Sequence, residues 1–161
     1  MTVKRYAEGT KVSVHSSQME LKKLVDRYGG NGFFFSEEDH RAVVGCRIRG
    51  VFLKFSITRR PPDEFLRTAA GRLRPPCQRR AACAQEYRRQ WRALLLFLKG
   101  GLEATVGEDP DMPFEKVFLP FTVMPNGDTV DEAVREQVQH AYRTGDISAA
   151  PLLPASRQLT E

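Results

Sequence analysis

The chain has 161 residues, 41% of them apolar and 28% charged, and a formal net charge of +5; this is the make-up of one globular domain with its own core. Its longest apolar run, residues 93–98, falls far short of the ~20 residues that span a bilayer, and the start lacks a secretory apolar stretch. Three cysteines without a CxxC pair and three scattered histidines give no metal or disulfide signal, so a cytoplasmic chain without cofactor, metal or membrane partner is expected.

In chain order, Ser17 and Glu20 form a capping-box pattern ahead of Leu21, Leu24, Val25 and Tyr28 at helical spacing, and Gly29-Gly30 supplies a stop; a helix is predicted over 18–28. Three strand-like runs follow, at 32–35, 41–48 and 51–57. In the second, Ala42, Val44, Cys46 and Ile48 alternate with Arg41, Val43, Gly45 and Arg47; in the third, Val51, Leu53, Phe55 and Ile57 share a face. Phe33–Phe35 reads most simply as core on a central strand, although exposed aromatics on a sheet could stack bases.

Residues 58–80 hold two Pro-Pro pairs and many arginines, a composition that breaks helices and central strands and predicts a long, mobile Arg/Pro-rich loop. A long helix is predicted over 81–106, with Tyr87, Trp91, Leu94, Leu95, Leu98 and Leu102 on its buried stripe. Gly100-Gly101 marks either a break or a close crossing. Residues 115–123 read as a fourth strand whose Pro120 demotes it to an edge. Thr129 and Glu132 form a second capping box, opening a helix over 130–142 that buries Val130, Ala133, Val134, Val138 and Ala141. The expected fold is α+β: a small antiparallel sheet of about four strands, in helix-strand-strand-strand-helix order, packed against two or three helices. One domain covers 1–146, and 147–161 form an extended tail.

Scattered matches carry a likeness along most of the chain: Tyr6 to Val12, Glu20-Leu21, Arg27-Tyr28-Gly29, Gln90 to Leu94, Phe118-Leu119, Pro125-Asn126-Gly127 and Thr129-Val130. In this order they resemble a group of uncharacterised small proteins of bacteriophages and integrated mobile elements. The resemblance implies a phage or mobile-element setting inside a host cell and brings no activity. The helix, meander and helix order is also that of double-stranded-RNA-binding domains. The chain departs from them in its long connection before the second helix, and in an arginine and tryptophan run where they carry lysines.

Charge is unevenly spread. Residues 1–58 carry ten basic and six acidic side chains, residues 59–92 ten arginines against three acids, and residues 93–161 five basic against eleven acidic. Planar, permanently charged guanidinium suits phosphate or carboxylate recognition. Arg72, Arg74, Arg79, Arg80, Arg88, Arg89 and Arg92 are the candidate nucleic-acid-binding residues, with Arg47, Arg49 and Lys54 as a second track. The competing explanation is a solvated face in an arginine-favouring codon vocabulary.

No nucleophile, metal or phosphate-loop motif occurs, so no catalytic residue is assigned and the chain is not expected to be an enzyme. His40 beside Asp39 reads as surface decoration, and the acidic run Glu108 to Asp111 as a solvated loop. The expected function is a non-catalytic accessory protein holding DNA or RNA by its phosphate backbone. The alternative is a protein-binding inhibitor of anti-defence type, acting on a host nucleic-acid-handling complex, with the acidic residues 108–115 and 128–136 as its working face.

Overall fold

The computed structural model describes residues 5–107 and 109–145; the tail expected over 147–161 and the acidic residue Glu108 lie outside them. Helix α1 spans Val14–Arg27. It begins a turn earlier than its sequence signal because Ser13, not Ser17, is the cap: the Ser13 side chain accepts from the Ser16 amide at 3.0 Å. Ser17 instead lies inside the helix, fully buried, its hydroxyl bonded to the Ser13 carbonyl. Leu21, Leu24 and Val25 form the buried stripe.

Three antiparallel strands follow as a meander in the order β1, β2, β3: Asn31–Glu38, Arg41–Ile48 and Val51–Thr58. The β2–β3 turn has positive φ at both Arg49 (50°) and Gly50 (81°), the geometry whose twist matches a two-residue hairpin. The alternation read from the sequence holds. Ala42, Val44, Cys46, Ile48, Leu53, Phe55 and Ile57 are all buried on the inner face, against α1 and the long helix α2, Pro76–Ala104. Burial pushes the Cys46 thiol up to about 12, which leaves it a protonated, inert core group.

Helix α2 starts one turn before the predicted position because Pro76 occupies N1, where its missing N–H costs nothing. It runs unbroken through Gly100-Gly101. A Cβ on Gly101 would lie 2.7 Å from the Phe118 ring, whereas Gly100 faces open space; Gly101 therefore marks a close crossing. Trp91 and Tyr87 are core residues as expected.

Two predictions are overturned. The sheet has three strands, because residues 115–123 contribute helix α3 (Phe114–Phe118) and a 3₁₀ turn (Leu119–Phe121). Phe114, Val117, Phe118 and Phe121 all pack on the core, a spacing of three, four and seven residues that belongs to a helix. Thr122 bridges back to Leu53, and the Val123 amide donates to the Phe52 carbonyl at 2.8 Å. Helix α4, Val130–Thr144, has the predicted capping box between Thr129 and Glu132 and a left-handed stop at Gly145. None of its residues is fully buried: Val130, Ala133, Val134 and Ala141 are half-buried, and Val138 is 42% exposed, so the expected apolar stripe is covered only in part. The described helices thus number four rather than two or three.

Candidate nucleic-acid interface

The proline-rich connection between β3 and α2 is folded. Arg59 continues the sheet by donating its amide to the His40 carbonyl at 2.8 Å, and the Cys83 thiol donates to the Arg60 carbonyl. After a 3₁₀ turn at Pro62–Phe65 the chain makes a small hairpin closed by a bridge between Arg67 and Leu73. The Thr68 amide donates to Arg72 O and the Arg74 amide to Leu66 O, both at 2.8 Å. Gly71 takes the left-handed conformation its tip requires (φ 79°). The segment expected to be mobile is a compact knuckle.

Its arginines tie the knuckle together through backbone carbonyls. Arg67 Nη1 donates to Gly71 O at 2.9 Å, Arg74 Nη1 to the Arg67 and Phe65 carbonyls, and Arg79 Nε to Arg74 O at 2.8 Å. A carbonyl accepts a hydrogen bond without cancelling the charge, so each guanidinium keeps its positive charge and several unused N–H donors. Acidic groups within the knuckle are two: Asp63, 3.9 Å from Arg79, and Glu64, 3.6 Å from Arg60. Arg72 and Arg80 are exposed and make no ion pair among the described residues. These bonds bring Arg74 and Arg79 together with Arg67, which the sequence analysis did not single out; Arg72 belongs to the same hairpin through its backbone, and Arg80 follows on the first turns of α2. The signal for Arg67 was the Thr-Ala-Ala-Gly turn that brings it against Arg74.

The other candidates lie elsewhere. Arg89 and Arg92 sit ten and thirteen residues beyond Arg79 on α2, roughly 15 and 20 Å along its axis. Arg89 clamps Glu86 with two bonds of 2.9 and 3.0 Å, and Arg5 reaches the same carboxylate. Burial pushes the Glu86 carboxyl up, but the bonds and charges of Arg89 and Arg5 outweigh it and its pKa is lowered. Arg92 pairs with Glu20 of α1 at 2.7 Å, which raises its own pKa. Arg88 donates to Gln85 at 2.5 Å. Glu86 and Arg92 thus fasten α2 to the N-terminal segment and to α1, whereas the Arg88 bond stays within α2.

The second track is divided likewise. Lys54 is held by Glu132 (2.8 Å) and the Gly127 carbonyl (3.1 Å). Arg49 lies over the Phe114 ring and donates to Thr105 O. Arg47 alone of the three is exposed without a side-chain hydrogen bond, ion pair or ring contact among the described residues. The aromatic run also departs from expectation: β1 is an edge strand, and Phe34 and Phe35 are 44% and 41% exposed.

Among the described residues no cluster of His, Cys, Asp and Glu is placed to hold a metal ion, and no helix is long and apolar enough to cross a membrane. Compared with protein-family models, with curated proteins and with solved structures, the chain finds no match.

Proposed function

We propose that the protein is a non-catalytic, nucleic-acid-associated accessory protein, of the phage or mobile-element type its resemblance implies, and that the arginine knuckle grips the phosphate backbone. One observation carries this. Arg67 and Arg74 are anchored on carbonyls rather than on carboxylates, so they are pre-positioned with no acid paired to them among the described residues, in the same segment as the exposed Arg72; Arg79 adds a carbonyl bond beside its pair with Asp63, and the exposed Arg80 follows it on α2. Anchoring reduces the side-chain entropy lost on binding, and the remaining N–H groups match phosphate oxygens. Arg89, Arg92 and Lys54 serve the fold in this picture, because carboxylates of the chain already pair with them, and Arg49 is taken up by the Phe114 ring and Thr105 O.

The test is binding of labelled DNA and RNA at about 50 mM salt, where phosphate contacts are least screened. Affinity is expected to fall linearly on a logarithmic salt scale, by about 0.9 per neutralised phosphate on duplex DNA. The double variant Arg72→Glu/Arg80→Glu should abolish duplex binding with an unchanged melting temperature. No detectable binding at low salt would reject the proposal.

A further inference from the structure

The outer face of the sheet carries a second surface that the knuckle does not explain. Strand alternation puts Phe34 of β1, Gly45 and Arg47 of β2, and Phe52 of β3 on this face. Phe34 is directly opposite Gly45, and Arg47 directly opposite Phe52. A Cβ on Gly45 would sit 2.2 Å from the Phe34 ring. The missing side chain lets that ring lie down across β2 toward β3. Its centroid comes within 6.0 Å of Phe52, with the two planes only 15° apart.

The pair is not core. The core lies on the other face, and Phe34 retains 44% exposure on an edge strand. The two near-parallel rings form an apolar patch on a face that also carries Val43 between Ser36 and Ser56, and Arg41 and Lys54, both paired with Glu132 of α4. Beside them Arg47 is exposed and makes no ion pair among the described residues.

We propose that this face is a stacking platform for single-stranded nucleic acid, with bases on Phe34 and Phe52 and a phosphate at Arg47. The inference rests on the nucleic-acid assignment above for the class of polymer, but uses different residues. A flat aromatic pair accepts the face of any base, and an adjacent unpaired cation accepts its phosphate. A duplex already stacks its bases on each other and cannot offer them to a sheet, whereas unpaired strands are read by stacking on aromatic side chains of open sheets. The knuckle, by contrast, needs only a phosphate backbone.

The two surfaces separate in one experiment: fluorescence anisotropy with oligo-dT and oligo-U of about 15 nucleotides, a length that covers a typical single-strand site, and with a duplex of equal length. Phe34→Leu and Phe52→Leu keep apolar cover over Gly45 but remove the aromatic face. Each is expected to weaken single-strand binding by about ten-fold and leave duplex binding unchanged, which also verifies the fold. Phe34→Tyr should retain the wild-type affinity, and Arg47→Ala should reduce the salt dependence on single strands. If the leucine variants bind single strands like wild type, or if wild type binds the duplex but no single strand, the platform is wrong and the knuckle stands. If wild type binds neither, both fall.

Discussion

Glu132 accepts from the Thr129 amide at 2.7 Å and pairs with Lys54 at 2.8 Å, so one carboxylate both caps α4 and ties it to β3. The Lys54 hydrogen bond, with the Thr129 amide, lowers its pKa from 4.5 to about 2. With the folded pKa below the unfolded one, its stabilisation is fully present above about pH 4.5 and is lost as pH falls toward 2. Glu132→Gln keeps a side chain able to complete the capping box and removes only the charge. At neutral pH it should cost ~0.5–1 kcal/mol, the range of a partly exposed pair. The gap to wild type should close as unfolding is repeated at lower pH. A gap independent of pH would mean that the ion pair contributes nothing.

At the scale of elements, the Gly100-Gly101 pair makes a sharp test, because adjacent positions in one helix have opposite surroundings. Gly100→Ala enters open space and should stabilise α2 by about 1 kcal/mol through propensity alone. Gly101→Ala drives a methyl group into the fully buried Phe118 and should destabilise by ~1–3 kcal/mol, the usual cost of overpacking. Urea denaturation of the two variants decides it, and equal shifts would contradict the close crossing of α2 and α3. The same crossing explains why residues 115–123 resist a strand assignment. Val117, Phe118 and Phe121 meet the core from a helix and a 3₁₀ turn, which a β-rich composition does not announce.

For the whole molecule, the charge asymmetry separates two regions. The knuckle keeps its positive charge while α4 carries Asp131, Glu132 and Glu136 on a helix with no buried residue. If nucleic acid is the partner, Asp128→Lys/Glu136→Lys should speed association and tighten affinity in proportion, with dissociation unchanged, since steering depends on the summed field; stopped-flow rates at low salt measure this. Loss of a cellular effect on reversing these acids, with none on reversing Arg72 and Arg80, would favour the protein-inhibitor alternative.

Alternation alone determined the inner face of β2 and β3, and helical spacing determined the buried stripe of α1 and the core roles of Tyr87 and Trp91, because these patterns depend on neighbours a few residues away. The capping box of α4 was legible for the same reason. Which arginines remain available was decided only in three dimensions: Arg89 and Arg92 meet Glu86 and Glu20, while Arg67 and Arg74 meet carbonyls. Arg92 and Glu20 are separated by 72 positions, and no local pattern records such a pairing. Phe34 could be placed on either face until its opposition to Gly45 was known, since a one-residue bulge reverses the direction of every side chain after it.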